Sequence, residues 1–229
     1  MGANASTAVP LYAAGQVLDA ARLNLTNAGI PVFSGTATRD AAFGGSGEKV
    51  LAEGQFAYLE DTNALQFYDS ASWQSVSGKI AQVLSVTKTS TFTTTSTTYT
   101  DLTDLTLTIT PTATSSKILV MYAVQALGIS GTNMGSIQIV RGATAIGNAD
   151  AAGSRSVSSS IIVELTAAQI GTQTNSYLDS PATTSATTYK LQIKSNIAGT
   201  IYVNRTATDT DNVAFGRGTS SLTIFEVLV

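Results

Sequence analysis

The chain has 229 residues, a net charge of −3 and a sequence pI near 4.8, with 43% hydrophobic but only 12% charged residues, against about 25% charged in a typical soluble domain. It holds no histidine and no cysteine, which excludes imidazole- and thiolate-based nucleophilic catalysis, zinc sites built from those ligands, and disulfides. There is no basic stripe to suit nucleic acid, and no stretch reaches the roughly 18 apolar residues that a membrane-spanning helix needs.

Residues 1–30 read as an N-terminal arm. MGANASTAVPLYAAG has no basic residue before Arg22 and no long apolar core, so it does not fit a signal peptide. Met1-Gly2 with Ser6 matches the myristoylation pattern, and Asn4, Asn24 and Asn204 head Asn-X-Ser/Thr sequons; both are short patterns that an ordinary polar start also produces. Asp19 can cap a helix over AARLNLTNAG, with Gly29 as its stop and Pro31 two residues on. Such an arm buries little by itself, so it is expected to dock on another protein.

Residues 31–78 read as a small β module. Gly44-Gly45-Ser46-Gly47 forms a loop whose spacing fits no phosphate-cradling fingerprint. QFAYLE, a turn at Asp61-Thr62-Asn63, and ALQFYD then predict a hairpin, with Phe56 and Tyr58 alternating on one strand and Leu65 and Phe67 on the other. A further turn at Ser70-Ala71-Ser72 leads to Trp73. These aromatic residues read as a small core; a carbohydrate-stacking platform is the alternative.

Residues 79–229 are strand-like almost throughout. LTLTIT at 105–110 sets Leu105, Leu107 and Ile109 opposite three threonines, and YKLQIK at 189–194 sets Tyr189, Leu191 and Ile193 opposite Lys190, Gln192 and Lys194. This period of two marks half-buried antiparallel strands. Further strands are expected near 81–88, 136–141, 160–165, 174–178 and 200–205. About ten short strands between Gly, Ser, Thr and Asn turns predict an all-β sandwich or jelly roll.

ILVMYAVQAL at 118–127 and LTIFEVLV at 222–229 break the alternation, being apolar on both faces. A helix is the rival reading for 118–127, against its Ile, Val and Tyr content. As a strand, 222–229 sends Leu222, Ile224 and Leu228 into the core and Phe225, Val227 and Val229 outward. Glu226 falls on the inner face and needs a partner, a strand end or an irregularity. The outward apolar set needs a cover, and a neighbouring subunit in closed cyclic symmetry is the usual one. Tyr122, Phe225, Val227 and Val229 are the interface candidates.

Chemical sites are sparse. Asp209 and Asp211, in Asp-Thr-Asp-Asn, offer oxygen ligands for calcium but lack the full Asp-x-Asp-x-Asp-Gly loop, so an acidic turn is the plainer reading and no metal is expected. Asp101 with Asp104 and Glu60 with Asp61 are the other carboxylate clusters; nothing in the spacing builds a glycosidase pair from them. Phe215-Gly216-Arg217-Gly218 reads as a hairpin loop with a guanidinium that could meet a receptor. Tyr122, Tyr189, Tyr202 and Phe225 read as core or interface aromatics. No catalytic residue and no cofactor is expected.

The stretch IPVFSGTATRDAAFGGSGEKVLAEGQFAYLEDTNALQFYDSASWQSV resembles a segment near the start of phage tail-fibre and minor virion proteins, carried by PVF, TRDAAF, EGQFAYLEDTN and FYDSASW. AAGQVLDAARLN looks like the arm that precedes it. SKILVM, SYLDSPATTSATTYKLQIKS, IYVNRT and GRGTSSLTIFEV resemble a terminal fibre domain similar to the trimeric jelly roll of the tumour necrosis factor and complement-head type. The resemblance implies a non-enzymatic homotrimer in the virion, on the phage tail or fibre or on the capsid surface. The arm (1–30) would join other virion proteins, the β module (31–78) would follow, and the jelly roll (79–229) would form the tip. A host-surface receptor or glycan is the implied outward partner; nucleic acid and membrane insertion are not. An architectural decoration or cement protein is the alternative, a polysaccharide depolymerase the remoter one. No shaft repeat or heptad pattern separates arm from tip, which implies a short fibre.

Overall fold

A computed structural model describes residues 30–45, 49–76, 78–129 and 135–229. The helix expected after Asp19 and the sequons at Asn4 and Asn24 lie outside the described residues, as do Ser46 and Gly47 of the glycine-rich loop. The chain divides into two compact units between Gly78 and Lys79.

The first unit contains β1 (Val32–Phe33), α1 (Thr36–Asp40), β2 (Phe56–Leu59), β3 (Ala64–Tyr68) and β4 (Trp73–Ser75), with the strands in that order in one sheet. The expected hairpin forms, with Phe56 opposite Phe67 and Tyr58 opposite Leu65. Asn63 holds its turn at φ 49°, a left-handed conformation that Asn tolerates better than most residues. Asp69 sets the next turn by accepting the backbone N–H groups of Ala71 (3.0 Å) and Ser72 (2.7 Å). The core differs from the expected one. Phe33, Ala42, Ala57 and Leu59 are buried, with Phe43 and Trp73 packed on them, whereas Phe56 on the other face of β2 is exposed. The aromatic stripe of the hairpin thus lies outside the small core; β2 uses its smaller residues for packing. Two elements escaped the pattern because they are too short to have a period, namely β1 and the five-residue α1.

The second unit is an antiparallel sandwich. Its strands are β5 (Ile80–Lys88), β6 (Phe92–Thr94), β7 (Thr100–Ile109), β8 (Lys117–Ile129), β9 (Gly135–Arg141), β10 (Thr144–Ile146), β11 (Ser160–Ile162), β12 (Gly171–Asp179), β13 (Thr187–Ser195), β14 (Thr200–Val203) and β15 (Ser220–Val227). Residues 118–127 are therefore strand, not helix. Ala126 of β8 pairs with Gly171 of β12 on one side and Val203 of β14 on the other, so β14 and β15 lie end to end along one side of β8, opposite β12. One layer runs β5-β15-β8-β12, extended by β6 and β14; the other runs β7-β13-β9-β11, with β10 beside β9. Counting β5, β7, β8, β9, β11, β12, β13 and β15 as strands one to eight, the layers read 1-8-3-6 and 2-7-4-5. That is the double Greek key of a jelly roll.

The inner faces follow the period of two. Ile118, Val120, Tyr122 and Val124 enter the core from β8, Leu222 and Ile224 from β15, and Tyr189, Leu191 and Ile193 from β13. In β7, Leu102 and Leu105 are three apart yet both buried. Asp104 between them sits at φ 71°, and the register with β13 shifts there. A bulge thus absorbs the odd residue.

Glu226 answers the question posed by its position. It is fully buried, and its Oε1 accepts the N–H and the hydroxyl of Thr112 (both 2.6 Å), while Oε2 accepts Gln82 Nε2 (2.7 Å). The register with β5 shifts directly after it. Burial pushes the carboxyl up, but the hydrogen bonds from Thr112 and Gln82 outweigh it and hold the pKa below the ordinary glutamate value.

Candidate functional site

The outer face of the β5-β15-β8-β12 layer is built by residues that alternate with the core. Register places them in rows: Val83, Phe225, Leu119 and Leu178; then Ser85, Thr223, Met121 and Ser176; then Thr87, Ser221, Ala123 and Thr174. None of these twelve residues carries a charge. The nearest is Lys117 at the start of β8, opposite Val227, and its Nζ donates to Ser180 Oγ at 2.8 Å. The apolar row is poorly covered, with Val83 56% and Leu178 51% exposed. Beside it a shallow concavity of about 510 Å3 is lined by Met121, Ala123, Thr174, Thr223 and Phe225 among others. Half-exposed side chains of this size each gain roughly 1 kcal/mol when a partner covers them.

Of the interface candidates, Phe225 and Val227 lie on this outer side, and Val229 is exposed beyond the strand end. Tyr122 does not. It is 4% exposed, points into the sandwich and shares hydroxyl hydrogen bonds with Ser159 (2.9 Å) and Ser160 (2.7 Å). Its parity in β8 is that of Val120 and Val124, so it is a core residue and is withdrawn from the interface set. Val83 and Leu178 were missing from that set. The adjacent apolar pairs Val83-Leu84 and Tyr177-Leu178 were the available signal, since a strand with two neighbouring apolar residues must show one of them outward.

The calcium candidate is overturned by its own neighbours. Asp209 accepts Arg205 Nη1 (2.9 Å), Arg217 Nε (2.9 Å) and Arg217 Nη2 (2.8 Å). Its carboxylate is engaged by two guanidiniums, which also repel a cation. Asp211 is exposed in the same turn. Arg217 is thus clasped to Asp209 while its side chain stays 60% exposed, and Gly218 is held by its N–H to Asn204 O (3.2 Å). Tyr202 carries the Arg205 guanidinium 4.7 Å from its ring centre.

Nor do the other carboxylates form a pair. Asp101 binds Lys190 (2.8 Å) and Gln192 (2.8 Å), while Asp104 binds the buried Lys88 (2.9 Å) and Ser90 (2.9 Å). Lys190 and Gln192 hold Asp101 below the ordinary aspartate pKa, and Lys88 and Ser90 do the same for Asp104. Asp179 is buried between Arg141 Nη1 (2.8 Å) and the Tyr189 hydroxyl (2.7 Å). It joins β9, β12 and β13, and so ties the two layers together. Burial, and then the Asp179 carboxylate, push the Tyr189 phenol up.

No protein-family model matches this chain, and no curated protein matches it in sequence.

Proposed function

We propose that this protein is a non-enzymatic structural subunit of a phage virion, a short homotrimeric fibre that takes part in host attachment. The observation that carries the assembly is the uncharged, half-apolar outer face of the β5-β15-β8-β12 layer. Around a rotation axis each side chain meets copies of itself and of its row neighbours, so a charged face repels itself while a face of hydroxyls, methyls and one phenyl does not. The jelly-roll order of strands agrees with the domain type that the terminal motifs resemble, and that resemblance supplies the number three and the virion setting. In this reading the arm (1–30) joins other virion proteins and the jelly roll points toward the host surface. Weak contacts repeated across three subunits then act together.

The reading is tested by removing residues 1–30 and following assembly. The truncated protein is expected to keep its trimer mass and to be missing from purified virions. Incorporation at the normal level moves the docking site out of the arm. A head or tail decoration protein shares the face and the fold; adsorption of the purified protein to host cells separates the two.

A further inference from the structure

The first unit contains a concavity of its own. It measures about 740 Å3 and is walled by Phe43, Tyr68 and Trp73, with Arg39, Asp40, Gln66 and Ser72 on its polar side. The three rings pack on one another at ordinary aromatic distances, yet each stays only half-buried, so part of each ring faces the hollow. Trp73 is half-buried, and it stands 5.8 Å from Phe43 and 5.6 Å from Tyr68 with the ring planes inclined at 50° and 57°. A small module gains more from filling such a space than from leaving it open.

Arg39 organises the polar side. It is only 6% exposed, a rare position for arginine in so small a unit. Its guanidinium lies 4.8 Å from the centre of the Trp73 ring, donates from Nε to Asp40 Oδ1 at 2.8 Å, and donates from Nη1 to Gln66 Oε1. One buried cation thus fixes an indole, a carboxylate and a carboxamide around the same hollow. Asp40 itself stays 59% exposed. Asp40 balances the arginine charge, so the described residues of the hollow offer no free cation to an anion.

We propose that this cleft binds a neutral oligosaccharide. A pyranose ring has an apolar C–H face that stacks on indole and phenol, and a rim of hydroxyls that donate to a carboxylate and exchange hydrogen bonds with carboxamide and hydroxyl groups. The volume suits a short sugar segment. Because Arg39 and Asp40 neutralise one another, the hollow offers sialylated or uronic sugars no free cation, which separates this assignment from a general glycan site. Binding here does not require the trimer.

Trp73 is the only tryptophan in the chain, so its emission reports on the cleft directly. The full chain is titrated with maltotetraose, cellotetraose, tetra-N-acetylchitotetraose and, as the anionic control, trigalacturonate. At least one neutral tetrasaccharide is expected to shift the emission saturably below about 10 mM, a half-point typical of shallow sites. Tyr68→Ala is expected to weaken that binding by about tenfold, and Asp40→Asn, which leaves the ring stack in place, by a smaller factor. The proposal is overturned if no neutral sugar gives a saturable change in folded protein, if trigalacturonate binds best, or if Asp40→Asn binds as tightly as the parent chain. Because the signal comes from Trp73 in the purified chain, its loss and the loss of virion incorporation remain separate results.

Discussion

The two outer faces of the sandwich are made from the same alternation and end in opposite chemistry. On the β7-β13-β9-β11 layer the outward residues of β13 are Lys190, Gln192 and Lys194. Lys190 pairs with Asp101 across the strands, and Lys194 lies 4.9 Å from the ring centre of Tyr99. That surface is finished by its own pairs and suits water. On the β5-β15-β8-β12 layer the corresponding positions are Ser, Thr, Ala, Val, Leu, Met and Phe. The inner faces of the two layers are equally apolar, so folding alone does not explain the difference. Val140 also points outward on the first layer but is already buried, whereas Val83 and Leu178 remain about half exposed; that difference points to a second burial step, after the sandwich has closed.

The sharpest way to break this comparison is to charge one face and leave the other untouched. Phe225→Asp puts a carboxylate in the apolar row of the uncharged face, and is expected to abolish assembly while each subunit keeps its far-ultraviolet β signature. A trimer of unchanged stability reverses the assignment of faces. An inner-face change serves as the counterpart. Glu226→Ala removes the buried acceptor that Thr112 and Gln82 share and leaves a gap at a fully buried position, which is expected to cost about 2 kcal/mol in urea unfolding.

The same carboxylate fixes a pH dependence. The pKa values of Glu226, Asp101 and Asp104 are lowered in the folded protein, so their contribution is present above the unfolded values near 4 and is lost as pH falls through the folded ones. The thermal midpoint of the parent chain is therefore expected to drop on acidification below about pH 4, and Glu226→Gln to blunt that drop. A midpoint that rises in acid contradicts the hydrogen-bond account of Glu226.

Smaller effects sharpen the contrast from the polar side. Lys190→Ala removes a solvent-facing pair with Asp101 and is expected to cost about 0.5 kcal/mol without changing the mass in solution. Calcium chelation is expected to leave the thermal midpoint within about 1 °C, since a bound ion stabilises only in proportion to its occupancy and Asp209 is already held by Arg205 and Arg217. A loss of several degrees would point to a cation site elsewhere.

Much of the fold was legible because period-two patterning survives wherever one face of a strand meets the core. LTLTIT and YKLQIK became β7 and β13, with the expected side inward. The double-sided apolar runs 118–127 and 222–229 became the strands that carry the uncharged face. The failures have local causes. Parity could not be phased in β8, where both sets are apolar, so Tyr122 was placed outward; its hydroxyl partners Ser159 and Ser160 come from a stretch 37 and 38 residues away. The Asp209 stretch reads in sequence as an acidic turn, but the sequence did not show that Arg205 and Arg217, which flank it, both fold back on the carboxylate. In the first unit the hairpin and its turn were legible, yet its core side was not, since Ala57 and Leu59 are less conspicuous than Phe56 and Tyr58. Arg39 is buried against Trp73 by α1, an element too short to leave a periodic signal.

The central claim is that the uncharged outer face is a contact between copies of this chain. Light scattering on the purified protein across a dilution series at micromolar concentration tests it most directly. The account predicts a mass of three 23.6 kDa chains that persists on dilution; a mass of one chain, with the sandwich folded, contradicts it.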